Sequence, residues 1–393
     1  MAFRIAQFNI LGRQMAGTMW FHYARDFLPP ALATSWPEWT RVAPFPRCLA
    51  WTPSDKGDCR FHRFPTLLAE IRALQADVLC LVELDCFAEF REALGKEGYD
   101  AVFCARPGKA DGCGIFWRRE VFAASAPCRS RVFTVPASGD RVAAAQVLRH
   151  LATQQQLVVV STHLHWDQES GYQATEAEEM LALAEATEAA AGMGAGSGAT
   201  VVCGDLNTTP GTVAYQVMRR RFRDAALGAG QTEYLAGAFT SVKPDVYYFA
   251  RPRGRQRDPA ASDEWHFQQG RSEVIDYIFY DPGTLELERP AKVPSLHTSS
   301  EEKVSTGGGA ETSAGRRPGA TAKASQPRKL PYGFWAGGWA FESSPAPGFE
   351  ERRYDPSWRP KREHGELQLG IPNRLHGSDH LPLACTLRWR SDA

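Results

Sequence analysis

The sequence predicts an α/β fold: two packed β-sheets flanked by helices, an α/β sandwich. Three observations predict it. Short apolar runs that suit buried strands stop at polar residues, as at Val78–Leu84 and residues 200–205. Segments with helical spacing separate those runs. Both halves of the chain show this alternation without a repeat period, so two sheets with helices outside them is the simplest way to bury every apolar face. With 393 residues, 43% hydrophobic and 23% charged, the chain reads as one globular domain over 1–393.

Ala2 to Ile10 alternates in part, with Phe3, Ile5 and Phe8 suited to a buried strand. Residues 13–60 are rich in Trp and Pro. Trp36, Trp39 and Trp51 are costly to leave in water, so an ordered insertion is expected there. Phe64 to Leu74 carries Leu67, Leu68, Ile71 and Leu74 at helical spacing, with Pro65 in the first turn. A buried strand over 78–84 and a short helix over 87–94 follow. Strands are expected at 101–104, 113–118, 142–150 and 157–163. The Ala/Glu-rich stretch 173–192 reads as a solvated surface helix. Next come a strand at 200–204, a helix at 212–222 and strands at 274–280 and 382–389. Between the last two, residues 297–330 hold almost no large apolar side chain, so a disordered insertion is expected. The Trp-rich segment 331–358 either packs on the body or binds a protein partner.

Lys+Arg and Asp+Glu are both 45, giving zero formal charge. That excludes coating of nucleic acid by bulk charge but leaves room for a local basic cleft. The nine cysteines form no C-x-x-C pair, which argues against a zinc knuckle and for free thiols in a reducing compartment. No apolar run approaches the ~18 residues of a membrane-spanning helix. The N-terminal residues lack a basic segment leading into an apolar one. The expectation is a cytoplasmic protein with no membrane partner, nuclear residence remaining open.

Six pieces carry chemistry: Gln7-Phe8-Asn9, Leu81-Val82-Glu83, Ser161-Thr162-His163-Leu164, Gly204-Asp205-Leu206-Asn207, Ile275-Asp276-Tyr277 and Ser378-Asp379-His380. Each adjoins a strand-like run, where rigid backbone can bring side chains together. Singly, each also fits an ordinary turn or surface group. Together they hold carboxylates, amides and two histidines without a thiolate cluster. That donor set suits Mg²⁺ or Mn²⁺ rather than Zn²⁺.

The order of these motifs resembles the endonuclease/exonuclease/phosphatase superfamily, which shares the fold of deoxyribonuclease I. Within it the chain is similar to the nocturnin and carbon-catabolite-repression-type deadenylase branch. The similarity rests on Leu79–Asp85 (with Val82 in place of the usual Gln), Asp111–Phe116, Asp140-Arg141-Val142, Phe239–Lys243 and Ile371–Leu375 followed by Gly377–Leu381. The resemblance implies a phosphate-ester hydrolase. It assigns Glu83 to the metal, with Asn9 and Asp379 beside it. It assigns Asp205 to the attacking water, Asn207 to holding water and phosphate in line, and His380 to a phosphate oxygen. Asp276 would fix the His380 tautomer, and His163 would meet the phosphate from the other side. Arg106, Lys243 and Arg374 are the substrate-binding candidates, and Trp166 and Tyr277 are candidates to stack a base, although Tyr277 also suits the core.

Nocturnin-like proteins carry two basic residues after the Thr-His-Leu motif, where His165 and Asp167 stand here. A third basic position is Asp245. These departures favour a 3′-to-5′ exoribonuclease acting on the RNA 3′ end, with preference for poly(A). The alternative is a small-nucleotide enzyme, an NADP(H) 2′-phosphatase or a 2′,5′-oligoadenylate phosphodiesterase. A third expectation, of another class, is a catalytically idle nucleotide-binding scaffold.

Overall fold

A computed structural model describes residues 1–12, 63–135, 139–194, 198–228, 230–236, 238–243, 246–250, 264–268, 271–293, 328–329, 335–336 and 378–391. The 13–60 insertion therefore lies outside the described residues. So do Asp245, Arg374 and nearly all of 297–330 and 331–358. From the last two stretches only the strands β17 (Arg328–Lys329) and β18 (Trp335–Ala336) are described, paired antiparallel.

The first sheet has six strands in the order β16 (Leu285–Arg289), β19 (Leu383–Trp389), β1 (Ala2–Asn9), β2 (Val78–Val82), β4 (Gly112–Arg118) and β3 (Tyr99–Ala105). The second has seven. Its path runs β10 (Arg223–Asp224), β15 (Asp276–Tyr280), β9 (Thr200–Asp205), β8 (Gln156–His163), β7 (Val142–His150) and β5 (Phe122–Ala124), with β6 (Arg129–Val132) also paired to β7. Small two-stranded ladders join β11 (Ser241–Lys243) to β14 (Arg271–Glu273), and β12 (Val246–Ala250) to β13 (Glu264–Gln268).

Side-chain alternation sorts the strands into three apolar layers. Phe3, Ile5, Val78, Cys80, Val82, Leu157, Val159, Val201, Cys203, Ile278 and Leu383 fill the space between the sheets. Ala6, Phe8, Leu79 and Leu81 face outward onto helices α1 (Arg63–Leu74) and α2 (Phe87–Lys96). Val158, Val160, Val202 and Phe279 face the opposite way, with Met180 and Leu183 of α3 (Tyr172–Ala190) and Val217 and Met218 of α4 (Val213–Arg219). The expected α/β sandwich is what the chain forms.

Several expected boundaries differ. The run 274–280 is not one strand: the ladder breaks between Glu273 and Asp276, because the amides of Ile275 and Asp276 both donate to Thr240 Oγ1 at 3.1 and 3.0 Å. Helix α3 is not solvated all round. Its buried side includes Glu176, Glu179 and Glu188, and the carboxylates are hydrogen-bonded. Glu176 accepts the His165 amide, Glu179 accepts from Thr134 and Arg131, and Glu188 accepts from Thr200 and Arg221. Alanine gives too little contrast between faces for that side to stand out in the sequence. No described helix is long and apolar enough to cross a membrane.

Candidate active site

Strand parity builds the site. In β1, Phe3 and Ile5 point between the sheets, and Gln7 and Asn9 continue that face, both fully buried. In β8, Leu157 and Val159 lead to Ser161 and His163. In β9, Val201 and Cys203 lead to Asp205. In β15, Tyr280 and Ile278 lead back to Asp276. Each polar residue extends the apolar inner seam at one end of the sandwich. The ladders then align those ends, with Asp205 the register partner of both His163 and Asp276.

Glu83 breaks the parity. Val82 already points inward, so Glu83 on a continuing strand would face the outer helices. Its φ is instead 54°, the left-handed region that a non-glycine residue seldom enters. The backbone thereby turns the carboxylate into the site, where Oε1 accepts from Asn9 Nδ2 at 3.1 Å and Oε2 from the Gly12 amide at 2.9 Å. Asn207, just past β9, also has positive φ, 47°. Asn is among the residues that tolerate this conformation best.

Hydrogen bonds fix the remaining groups. Asn9 Nδ2 donates to Asp205 Oδ2 at 3.0 Å as well as to Glu83, and Asn9 Oδ1 accepts the Leu11 amide. Asn207 Nδ2 donates to the Leu164 carbonyl at 3.0 Å and to His163 Nε2 at 2.9 Å. The carbonyl can only accept, so the Asn207 amide orientation is set and His163 Nε2 is the acceptor. His380 Nδ1 lies 2.7 Å from Asp276 Oδ2, which makes Nδ1 the donor and directs Nε2 toward Asp205 Oδ2 at 3.7 Å and Asp379 Oδ1 at 3.8 Å.

Three supporting residues lie in motifs named from the sequence but received no role there. Gln7 donates to Asp276 Oδ1 at 3.0 Å, and Thr240 Oγ1 donates to Asp276 Oδ2 at 2.7 Å. Ser378 Oγ donates to the Asn9 carbonyl at 2.6 Å and accepts the His380 amide. The parity of Gln7 with Phe3 and Ile5 is the signal that gives its inward direction. Tyr277 belongs to the core: it is fully buried, with its hydroxyl 2.8 Å from the carbonyls of Thr208 and Val274.

Burial pushes the Asp205 carboxyl up to about 7, helped by the neighbouring Asp276 charge and opposed by His380 and hydrogen bonds from Asn207 and Asn9. For His380, burial acts downward, but Asp276, Asp379 and Asp205 outweigh it and raise the imidazolium to about 10. Both shifts have the same sign for stability. His380 contributes stability that is fully present below its free value of 6.5 and lost as pH rises through about 10. Asp205 contributes stability that is lost as pH rises from 3.8 through about 7. Metal-free protein should therefore melt at a lower temperature at pH 9 than at pH 6.5, and added Mg²⁺ should narrow the gap by replacing the protons. Scanning calorimetry with EDTA and with Mg²⁺ checks this; equal melting temperatures at both pH values would contradict it.

The donor set fits a divalent cation. Asp205, Asp276 and Asp379 surround the His380 ring, Glu83 is joined to Asp205 through Asn9, and Asp379 Oδ1 is buried without a hydrogen-bond partner among the described residues. One ligand atom each from Asp205, Asp276 and His380 lies within 4.8 Å of the others, a buried Asp/Asp/His cluster able to hold a metal ion. Since His380 Nδ1 is committed to Asp276, the oxygens are the better donors for a hard cation.

Arg106 is engaged by carboxylates, donating from Nη1 to Asp111 at 2.9 Å and from Nη2 to Asp140 at 2.6 Å. Lys243 ends β11, beside the Thr240 and Ser241 that bridge to His380 and Leu381. His165 Nδ1 accepts the Asp167 amide at 3.2 Å. Trp166 is 63% exposed, its ring stacked on His165 with centroids 5.7 Å apart.

The model of the Endonuclease/Exonuclease/phosphatase family matches residues 7–306. Ser378–His380 lies beyond that stretch and is brought to it by the fold. Nocturnin of Xenopus laevis is 26% identical over 247 residues, covering 58% of this chain and 56% of that protein. Protein angel homolog 2 of Homo sapiens is 32% identical over 167 residues, 40% of this chain and 30% of that one. The chain spans 38% to 56% of the length of the nocturnins it matches. Among solved structures, ANGEL2, described as a 2′,3′-cyclic phosphatase in complex with adenosine-2′,3′-vanadate, superposes with a TM-score of 0.54 at 19% identity, over 99% of this chain and 96% of that one. At that identity the likeness is one of fold. The family match over most of the chain carries the conclusion: the protein belongs to the endonuclease/exonuclease/phosphatase family and is a hydrolase of phosphate esters.

Proposed function

We propose that the protein is a divalent-metal-dependent 3′-to-5′ exoribonuclease with preference for poly(A). The observation that carries the chemistry is the placement of Asp205. Its carboxyl sits between the His163 and Asp276 strand ends and is linked through Asn9 to Glu83.

Asp205, with its carboxyl near 7, accepts a proton from the attacking water close to neutral pH. The two Asn207 amide hydrogens are taken by Leu164 and His163, which leaves Oδ1 to accept from that water and hold it in line. His380, cationic at neutral pH and held at Nδ1 by Asp276, donates from Nε2 to a non-bridging phosphate oxygen. Gln7 and Thr240 keep the Asp276 carboxylate fixed. His163, whose Nε2 accepts from Asn207, has Nδ1 on the Glu83 side of the site, 4.0 Å from Glu83 Oε1. A bound Mg²⁺ or Mn²⁺, with Glu83 and Asp379 as carboxylate ligands and Asn9 beside them, would neutralise charge on the phosphoryl oxygens.

The substrate assignment rests on the cleft's charge. A 2′-phosphate monoester carries close to two negative charges at neutral pH and an internal diester carries one. The loop after His163, residues 164–171, contains no Lys or Arg, and the Asp167 carboxylate caps residues 168–170. Each missing charge-assisted hydrogen bond costs about 1.5–3 kcal/mol, so losing two would lower efficiency on the monoester by several powers of ten. Trp166 offers an exposed ring on which an adenine could stack. Purified protein with Mg²⁺ should shorten poly(A) faster than it releases phosphate from NADP, 2′,5′-oligoadenylate or adenosine 2′,3′-cyclic phosphate. Efficient release from any of these with poly(A) left intact would transfer the assignment to that small nucleotide. No turnover of any of them, with binding retained, would favour the idle scaffold.

A further inference from the structure

Away from the active site, two thiols face each other across the edge of the sandwich. Cys104 lies in β3, the edge strand of the first sheet, and Cys128 precedes β6, which pairs with β7 of the second. Their sulfurs are 3.8 Å apart, and both residues are half-buried. Every other described cysteine is buried: Cys80, Cys86, Cys113, Cys203 and Cys385. Cys80 and Cys203 also face each other, but deep in the core. The chain thus contains an accessible pair and a sealed pair of the same chemistry.

We propose that Cys104 and Cys128 are a reversible oxidation site, closing to an intramolecular disulfide that staples the two sheets together. A disulfide needs sulfurs about 2.05 Å apart, a closure of under two ångströms that side-chain rotation of half-buried residues can supply. The attacking thiol is Cys104. The Cys128 hydrogen bond lowers its ionisation to about 7 against the opposing effect of burial, and Ser130 helps. Cys128 is shifted the other way, first by its bond to Cys104 and then by burial, and remains the protonated resolving thiol.

With hydrogen peroxide as oxidant the step balances. The Cys104 thiolate attacks one peroxide oxygen; an S–O bond forms, the O–O bond breaks, and the departing hydroxide takes up the proton that Cys104 had lost. Cys128 sulfur then attacks the sulfenic sulfur, the S–S bond forms, and the hydroxyl leaves as water with the Cys128 proton. Two thiols are oxidised and one peroxide is reduced to two waters. The cross-link closes a loop between residues 24 apart in sequence. That loop runs from one sheet to the other, so the folded state should gain stability.

The test is peptide mapping of the full-length protein after brief treatment with dilute hydrogen peroxide, alkylating remaining thiols under denaturing conditions. The expected result is a dithiothreitol-reversible Cys104–Cys128 linked peptide, with Cys80 and Cys203 fully alkylated and a melting temperature several degrees above the reduced form. Cys104→Ser should abolish the link and the thermal shift. Cys128→Ser should leave Cys104 as a sulfenic acid that dimedone traps, an outcome a merely structural pair would not give. A Cys80–Cys203 link, irreversible oxidation of Cys104 in the wild type, or a thermal shift that persists in Cys104→Ser would each overturn the proposal. None of these readouts depends on the phosphoesterase substrate.

Discussion

Asp205→Asn should lower turnover by at least about a hundredfold while the protein still folds. The carboxyl is buried, and the charge of Asp276 beside it disfavours ionisation further, so its ionised form is a cost to the fold. A neutral side chain of the same shape removes that cost, although it turns one hydrogen-bond donor toward Asn9 Nδ2. The melting temperature in EDTA should accordingly move by only a few degrees. Chemistry suffers because an amide accepts no proton from water at neutral pH. Glu83→Ala should give a comparable loss by a different route, the removal of a carboxylate offered to the cation, and EDTA should mimic it in the wild type. Near-normal turnover of either folded variant would remove that residue from the proposed machinery.

Gly204→Ala should damage the fold and the site together. A Cβ built at Gly204 would lie 2.1 Å from the backbone carbonyl oxygen of Thr162, its register partner in β8. No side chain can move aside, because the obstacle is the neighbouring strand itself. Overpacking of this kind costs about 3 kcal/mol or more, which in a domain of this size lowers the melting temperature by roughly 5–10 °C. The strands can relax only by parting where His163 faces Asp205. A displacement of about 1 Å there costs on the order of a hundredfold in rate. A variant with wild-type melting temperature and turnover would show that β8 and β9 have slack there.

The sandwich was legible because its strands announce themselves: Val78–Val82 and Thr200–Asp205 are apolar runs too short for helices. Most residues of the candidate site were legible for the same reason, since they sit where such a run meets a polar residue of useful chemistry. The roles of Gln7 and Thr240 were not, because their importance lies in what they hold, and Asp276 is far from both in sequence. The turn at Glu83 was hidden for another reason. Glutamate gives no hint of a left-handed φ, whereas Gly or Asn would. Edge strands such as β6, Arg129–Val132, escaped because one side of them meets water and their side chains are mostly polar. β16 did carry a period-two signal, in Leu285-Glu286-Leu287-Glu288, that passed unused.

The position of β19 has a consequence for biosynthesis. It lies between β16 and β1, with Leu387 opposite Phe3 and Leu383 opposite Gln7. Until residues 383–389 leave the ribosome, β1 has an open edge on that side. The segment leading into β19 also delivers Asp379 and His380. Sealing the sheet and completing the proposed catalytic group are thus one event in the life of the nascent chain. A polypeptide stalled short of residue 378 would have its Asp205 and Glu83 strands already made, yet no imidazolium to meet a phosphate. The proposed exoribonuclease activity would accordingly be absent until synthesis had passed that point.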